Sequence, residues 1–210
     1  MSKQGFFITL EGCEGSGKST QLRLLSEYLQ QKGVSAVFTR EPGGTPIAED
    51  IRRIILDGKN TEMEDETEAL LYASARVQHI KEKIIPAKRE GKIVVCDRYI
   101  DSSFAYQAYA RGLGMEFIQR VNFYALENCM PDLTLFFDIS PKEAFERKGG
   151  ADKDDRLEQS GIEFHQRVYE GYKRLAEDNP ERIAIINARK SPEEVFDEVI
   201  KSLKKRNIIG

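Results

Sequence analysis

Tryptophan is absent from this 210-residue chain, which contains only three cysteines and two histidines. The cysteines, Cys13, Cys96 and Cys129, are odd in number and widely separated, which argues against a disulfide framework. Both histidines lie far from every cysteine in the sequence, so a zinc site is not expected. We therefore interpret the cysteines as reduced packing residues of a cytoplasmic protein.

Long hydrophobic runs and a strong excess of one charge are also missing. No apolar segment approaches the roughly 20 residues that span a bilayer, and the N-terminus lacks the apolar length of a secretory signal. The formal net charge of −3 gives no general attraction to nucleic acid or to an anionic membrane. We expect one domain over residues 1–210, with a lid at about 148–157.

Short apolar runs alternate with helical spacing along the chain. Five runs are predicted as strands, at residues 6–10, 34–39, 93–96, 133–139 and 182–186. Between them the apolar spacing predicts helices, including a long one over about 67–89 that Pro86 can kink. Continuous apolar strands that alternate with helices indicate an α/β fold, in which a parallel sheet is covered on both faces. The predicted architecture has three layers and a five-stranded parallel sheet.

One motif predicts a phosphate-binding loop between the first strand and the first helix. Residues 12–19 read GCEGSGKS and match G-x-x-x-x-G-K-[ST]. Glycines in such a loop let backbone amides face an anion, and the positive end of the next helix points there too. The motif predicts a P-loop NTPase fold in which Lys18 approaches the β- and γ-phosphates and Ser19 offers its hydroxyl to Mg²⁺. The predicted ATP-binding residues of this loop are Gly12, Cys13, Glu14, Gly15, Ser16, Gly17, Lys18, Ser19 and Thr20.

The residues that follow the third strand favour kinase chemistry over hydrolysis. Asp97 can hold Mg²⁺ through water, and Arg98 suits a phosphate group on an acceptor molecule. Motor ATPases usually place a second acid here to activate water, and the N-K-x-D motif of GTPases is not in the chain. We therefore expect a phosphoryl transfer to an acceptor.

Five segments together resemble the bacterial thymidylate kinase family, whose members phosphorylate dTMP with ATP. They are LEGCEGSGKST at 10–20, TREPGG at 39–44, DRYIDSS at 97–103, AYQ at 105–107 and PDLT at 131–134. These segments occur in the family's order, and TREPGG beside a P-loop is the most specific of them. The resemblance implies a five-stranded parallel sheet, a homodimer built on helix faces and a lid over ATP. Mg²⁺ is the cofactor expected from Ser19 and Asp97.

The resemblance also implies an acceptor site for dTMP. In it, Glu14 accepts a hydrogen bond from the 3′-hydroxyl, Tyr72 and Arg76 contact thymine, and Tyr106 packs on C2′ of the sugar. From the residues alone, a core position for Tyr72 and a surface position for Arg76 are the favoured interpretation. Arg98, with Arg40 and Arg52, is expected to clamp the acceptor phosphate. The implied dTMP-binding set is Glu14, Glu41, Arg52, Tyr72, Arg76, Arg98, Ser103, Tyr106 and Gln107.

The expected catalytic group combines Lys18, Arg98 and a cation from the lid. Arg156 matches the family pattern best and is expected to stabilise the transferring phosphoryl group, while Arg147 is expected to pack on adenine. Asp97 and Ser19 are the expected Mg²⁺ residues.

Three side chains outside this group also carry expectations. His79 and His165 are expected to be polar surface residues, because neither has a partner at ligand spacing. The thiol of Cys13 is expected to have a lowered pKa, because a lysine and a helix N-terminus lie nearby.

Two other functions remain open on the sequence alone. One is a kinase for another nucleoside or nucleotide, because a single pocket substitution can shift base choice. The other is a P-loop protein that binds nucleotide as a regulatory or DNA-associated module. The sequence lacks the basic stripe and the added domain that such a module usually has.

Overall fold

The computed structural model, which describes residues 5–149 and 156–210, has a central sheet of five parallel strands. These are β1 (Phe6–Glu11), β2 (Ala36–Arg40), β3 (Ile93–Asp97), β4 (Leu133–Asp138) and β5 (Ile183–Asn187). Their spatial order is β2-β3-β1-β4-β5, and every neighbouring pair is parallel. The predicted five-stranded parallel sheet is confirmed.

Helices connect the strands and enclose the sheet. They are α1 (Lys18–Gln31), α2 (Pro46–Leu56), α3 (Asp65–His79), α4 (Ile85–Arg89), α5 (Ile100–Ser103), α6 (Met115–Val121), α7 (Phe123–Asn128), α8 (Pro141–Lys148), α9 (Ile162–Asp178) and α10 (Pro192–Lys205). Because helices cover both faces, the central strands are apolar on both sides, and Ile8, Leu10, Val94 and Val95 are fully buried.

The long helix predicted over 67–89 is three connected segments. After α3 the chain widens into a π-helical turn over Ile80–Ile84 and then continues as α4. Pro86 lies in the first turn of α4, where its missing N–H is tolerated. A second π-helical segment, Phe104–Ala110, directly follows α5. Asn122 separates α6 from α7.

Two serines define the starts of α8 and α10. Ser140 and Ser191 each accept a hydrogen bond from the backbone N–H three residues on, where a glutamate bonds back to the serine backbone. This reciprocal pair satisfies N–H groups that the helix itself leaves unpaired. α8 ends at Lys148 and is capped by Gly149, and residues 150–155, most of the expected lid, lie outside the described residues. Within the described residues, no helix is both long and apolar enough to cross a membrane.

The carboxyl ends of three adjacent strands converge at one edge of the sheet. The phosphate loop follows β1, the TREPGG segment follows β2, and Asp97-Arg98 follows β3. The register pairs Leu10 with Asp97 and Asp97 with Arg40, so these loops start at the same level. Ligands of open parallel sheets bind in the crevice outside these ends.

Candidate active site

The phosphate loop forms a cradle whose shape depends on glycine. Gly15 has φ +77°, and a Cβ added there would lie 2.2 Å from the carbonyl oxygen of Ala144. The Nζ of Lys18 donates to the carbonyl oxygens of Gly12 and Cys13 at 3.1 and 3.0 Å. The residues around the cradle are Glu14, Gly15, Ser16, Gly17, Lys18, Ser19, Thr20, Asp97, Arg147 and Lys148. Most predicted ATP-binding residues are thus brought together, while Gly12 and Cys13, at the start of the loop, are buried and do not line the cradle.

Burial controls the ionisation of two groups in this loop. Burial and the nearby Arg98 guanidinium lower the pKa of Lys18. Burial raises the pKa of the Cys13 thiol to about 11, and the opposing effect of Lys18 is smaller. The expectation of a lowered Cys13 pKa is therefore wrong, because the thiol is buried rather than held at an open helix terminus.

The cradle has oxygen groups suited to Mg²⁺. Asp97 and Ser19 both line it, and Oδ1 of Asp97 is buried with no hydrogen-bond partner among the described residues. A buried carboxylate oxygen without a donor is costly unless a cation or a water satisfies it. Mg²⁺ prefers oxygen ligands and keeps several of its waters, so these two side chains fit it.

A second pocket continues from the cradle toward the end of β5. It shares Ser16, Gly17, Thr20 and Arg147 with the cradle, and the remaining residues that line it are Gln21, Ala188, Lys190, Pro192 and Val195. Arg147 donates to the carbonyl oxygens of Ala188 and Arg189 at 2.6 and 3.2 Å, which fixes its guanidinium plane at the pocket. A flat cation at this place suits the face of a purine ring.

A third pocket lies on the other side of Glu14 and Asp97. The residues around it include all the predicted clamps, and they are Glu14, Arg40, Glu41, Pro42, Arg52, Leu56, Tyr72, Asp97, Arg98, Tyr106, Leu157, Glu158 and His165. Because Glu14 and Asp97 line both this pocket and the cradle, groups bound in the two would meet at these side chains.

Arg98 is held at this junction by an unusual backbone conformation and three side chains. Its φ of +65° lies in the left-handed region, which non-glycine residues seldom adopt and which marks functional sites. The guanidinium donates to Glu14 at 2.6 Å, to Tyr172 at 3.1 Å and to Ser102 at 3.3 Å. Arg98 holds the pKa of Glu14 well below its usual range. Arg98 and Glu14 are therefore a charged pair at the boundary of the two pockets.

The two adjacent arginines of α2 have different surroundings. Arg52 is half-buried, lines the third pocket and donates to the carbonyl oxygen of Pro42 at 2.9 Å. Arg53 is exposed and pairs with Asp50 on the same helix. Arg40 also lines the pocket, and its guanidinium pairs with Glu49 at 2.9 Å. Of the two adjacent arginines, Arg52 is therefore the one that lines the pocket.

The inner end of this pocket is a polar cluster centred on Arg76, which is 1% exposed. Its Nε donates to Glu41 at 2.8 Å, and one terminal nitrogen donates to Ser103 at 3.0 Å and to Asn122 at 2.5 Å. The other terminal nitrogen donates to the carbonyl oxygen of Tyr99 at 3.1 Å. Arg76 is therefore neither a surface residue nor freely mobile.

Further predicted residues complete this inner end. Tyr72, Arg76, Ser103, Tyr106 and Gln107 all line it together with Glu41 and Arg98. Gln107 donates to the buried carboxylate of Glu68 at 2.7 Å. The ring of Tyr106 lies edge-on to Phe164 and Tyr172, with Arg98 5.4 Å from its centre.

The expected lid cation Arg156 lies beside this inner end. Its guanidinium pairs with Glu68 and donates to the carbonyl oxygen of Ile55 at 3.1 Å. Lys148, which lines the cradle, pairs instead with Glu158 on the far side of residues 150–155. Within the described part of the chain, Lys148 is thus the basic residue near the lid that lies at the phosphate loop together with Arg147.

Two histidines and one glutamate are buried beside the site, which the sequence did not predict. His79 is fully buried and His165 is 2% exposed, so the expectation that both lie on the surface is wrong. His79 contacts Glu41 and Thr39, while His165 packs edge-on against Phe145 and Phe164. Glu11, at the end of β1, is fully buried and accepts hydrogen bonds from the segment that follows Arg98.

Two adjoining pockets, one built on a phosphate loop and one lined by arginines, define a P-loop kinase with a small acceptor. The sequence profile of the thymidylate kinase family matches residues 10–199. The thymidylate kinase of Finegoldia magna is 49% identical over 203 residues, which cover 97% of this chain and 100% of that protein. That of Shouchella clausii is 48% identical over 205 residues, covering 97% and 96%.

A solved structure agrees with these sequence matches. The crystal structure of thymidylate kinase from Ehrlichia chaffeensis superposes with a TM-score of 0.78 at 35% identity, covering 95% of this chain and 99% of that one. The chain belongs to the thymidylate kinase family.

Proposed function

We propose that the protein phosphorylates dTMP to dTDP with ATP, and that the reaction takes place where its two pockets meet. Family membership supports the activity. The single observation that carries the location is that Glu14 and Asp97 line both the phosphate cradle and the arginine-lined pocket. A γ-phosphoryl group in the cradle would therefore face a phosphate held by Arg98.

The proposed step is a direct transfer. An oxygen of the dTMP phosphate attacks the γ-phosphorus of ATP, the bond from that phosphorus to the ADP oxygen breaks, and dTDP and ADP form. No enzyme group becomes covalently modified. Lys18 and Arg98 stabilise the negative charge on the transferring group, and positioning of the two phosphates contributes the rest.

Mg²⁺ is the proposed cofactor. Ser19 and, through water, Asp97 would hold it at the cradle, where the unpartnered Oδ1 of Asp97 fits this role. When bound, the ion would neutralise phosphate charge and orient the β- and γ-phosphates.

Arg76 is proposed to read the thymine base. A guanidinium has five N–H groups, and Arg76 uses four of them on protein partners within the described residues. The fifth is available to a carbonyl oxygen of thymine, and the Tyr72 ring on the same helix face can stack on the base. Ser103 and Gln107 line the same space.

The sugar is proposed to lie between Glu14 and Tyr106. Glu14, kept ionised by Arg98, accepts a hydrogen bond from the 3′-hydroxyl. The ring of Tyr106, 7% exposed and fixed by its aromatic neighbours, would pack on C2′ and leave no partner for a ribose hydroxyl. A preference for deoxynucleotides follows.

Arg156 is the proposed lid cation, and Lys148 is its competitor. Arg156 is at present paired with Glu68, so reaching a phosphate would require it to exchange that partner. Lys148 already lines the cradle. A larger loss of kcat in Arg156→Ala than in Lys148→Ala would support Arg156, and the opposite order would assign the role to Lys148.

The protein is proposed to be a homodimer of the cytoplasm. Apolar side chains on α2 and α3 face outward, and Ile47, Ile54 and Leu70 are each about half exposed. Ile55, also on α2, is instead buried in the core. A second copy of the chain would cover the exposed group. The three cysteines are buried and unpaired, in agreement with a reducing compartment.

An acceptor panel tests the proposed activity. ADP release would be measured with ATP and dTMP, dUMP, UMP or dCMP, and without an acceptor. We expect the largest kcat/KM with dTMP and almost no ADP without acceptor. Equal ADP release without acceptor would identify an ATPase, and a preference for another monophosphate would identify a different kinase.

A further inference from the structure

We infer that His79 is a positioning residue for base recognition, because it fixes Glu41, which in turn aims Arg76 at the thymine. The inference rests on the proposed function and adds to it a residue that does not itself touch the substrate. His79 ends α3, one helical turn beyond Arg76, and is fully buried.

The TREPGG segment forms a socket around the imidazole ring. Nδ1 of His79 lies 2.9 Å from Oε1 of Glu41, and Nε2 lies 2.8 Å from Oγ1 of Thr39. Gly44 closes the socket, since a Cβ there would lie 2.6 Å from Thr39 Oγ1 and 2.7 Å from Nε2. Two residues of the segment thus bond to the ring that α3 contributes, and a third leaves the space that the ring needs.

The contacts define which nitrogen donates. An ionised carboxylate only accepts hydrogen bonds, so Nδ1 donates to Glu41. The hydroxyl of Thr39 pairs with Nε2 and can either donate or accept there, so both ring nitrogens have a partner. The ring therefore presents a fixed donor to one oxygen of a carboxylate that is only 4% exposed.

Glu41 transmits this constraint to Arg76. Oε1 accepts a hydrogen bond from Nδ1 of His79, and Oε2 accepts one from Nε of Arg76 at 2.8 Å. The orientation of one planar carboxylate is therefore fixed by both side chains. Without the Nδ1 donor, Oε1 would be buried and unsatisfied, and the carboxylate would rotate to seek another partner. The Nε contact and the direction of the remaining Arg76 N–H would change with it.

A merely structural histidine would behave differently. A side chain that only fills space would lower stability when it is replaced, whichever ring nitrogen the new amide mimics, and its effect on dTMP would not depend on Arg76. A positioning role predicts a selective effect on dTMP, and it predicts that the effect requires Arg76.

Two substitutions of similar size separate the nitrogens. The amide nitrogen of asparagine can take the place of Nδ1, whereas that of glutamine takes the place of Nε2. We expect His79→Gln to raise KM for dTMP about tenfold, the loss typical of a hydrogen bond to a charged group, with KM for ATP changed less than about twofold. His79→Asn should raise KM for dTMP less than about threefold. Equal effects of the two variants on KM for dTMP would overturn the inference.

A double variant provides a second test, because it shows whether the effect of His79 on dTMP requires Arg76. In Arg76→Met, which removes the base-reading group, adding His79→Gln should change KM for dTMP less than about twofold. Additive effects in this cycle would overturn the inference. If His79→Gln does not fold, Thr39→Val tests the same link with the ring in place: it should raise KM for dTMP at least about twofold, and an unchanged KM would contradict the inference.

The wild-type enzyme distinguishes failure of this inference from failure of the proposed function. If the wild type does not phosphorylate dTMP, the function itself is wrong. If it does, and the variants show no selective effect on dTMP, only the role of His79 is wrong.

Discussion

Glu11 gives the protein a pH-dependent stability that opposes the usual behaviour of a carboxylate. It is fully buried at the end of β1, where Oε1 accepts from the backbone N–H of Tyr99 at 2.7 Å. Oε2 lies 2.6 and 2.8 Å from the hydroxyls of Ser102 and Tyr172, which donate to the ionised carboxylate, and one of which can accept from the protonated carboxyl. Burial, with a smaller effect of Asp101, raises the pKa of Glu11 from 4.5 to about 7.

The direction in which stability changes with pH depends on whether the folded or the unfolded state binds the proton. Between pH 4.5 and about 7, the folded protein is protonated at Glu11 and the unfolded chain is not. The contribution of Glu11 to the free energy of unfolding is therefore full below pH 4.5 and is lost as pH rises through 7. With 1.36 kcal/mol for each pH unit of difference, the change from pH 5 to pH 8.5 is on the order of 2–3 kcal/mol.

Urea unfolding of wild type and Glu11→Gln, followed by circular dichroism across this range, measures the effect. Glutamine does not titrate, so the variant should gain about 2–3 kcal/mol relative to wild type between pH 5 and pH 8.5. The contribution of His165, whose pKa burial lowers, is common to both proteins and cancels in the comparison.

Glu14→Gln is the matched control. Arg98 keeps Glu14 ionised in the folded state, so its contribution is lost only as pH falls below 4.5. The difference between this variant and wild type should therefore be flat over the same range. If the free energy of unfolding of Glu11→Gln differed from that of wild type by the same amount at pH 5 and at pH 8.5, the raised pKa of Glu11 would be refuted.

Three further predictions concern the site and the assembly. Lys18→Ala should lower kcat at least about 10²-fold in steady-state assays, because it removes a fixed charge over the phosphates, while calorimetry should still detect dTMP binding; near-normal turnover would contradict this. Tyr106→Ala should narrow the ratio of kcat/KM for dTMP over its ribose counterpart, since excluding an unpaired hydroxyl is worth roughly 1–3 kcal/mol, or about one to two decades; an unchanged ratio would make Tyr106 a packing residue. Leu70→Glu should shift wild-type dimers to monomers in sedimentation, because it places a charge in the proposed interface; a wild type that is monomeric at micromolar concentration would exclude the dimer.

The sheet and the phosphate loop could be predicted because their signals are local. Short apolar runs bounded by turns gave all five strands, and the spacing from Gly12 to Ser19 has one common structural meaning. The π-helical segments have no such signal. Their residues have partners far along the chain: Gln107, in the second segment, donates to Glu68, which lies 39 positions away.

The buried histidine could not be predicted because the inner face of α3 is polar. Glu68, Arg76 and His79 are buried there, while Leu70 on the same helix is half exposed. Hydrophobic periodicity assumes that apolar residues point inward, so it assigns this helix the wrong face. Only tertiary partners, here the TREPGG segment and Gln107, make the buried charges acceptable.

The central claim, direct transfer between two adjoining pockets, is tested most directly by the fate of the γ-phosphoryl group. ATP labelled at the γ-phosphorus would be incubated with enzyme and dTMP, and the products separated. The account predicts that the label appears in dTDP in one-to-one ratio with ADP, with little free phosphate, and that Arg98→Ala abolishes this transfer. Label recovered mainly as inorganic phosphate, whether or not dTMP is present, would contradict it.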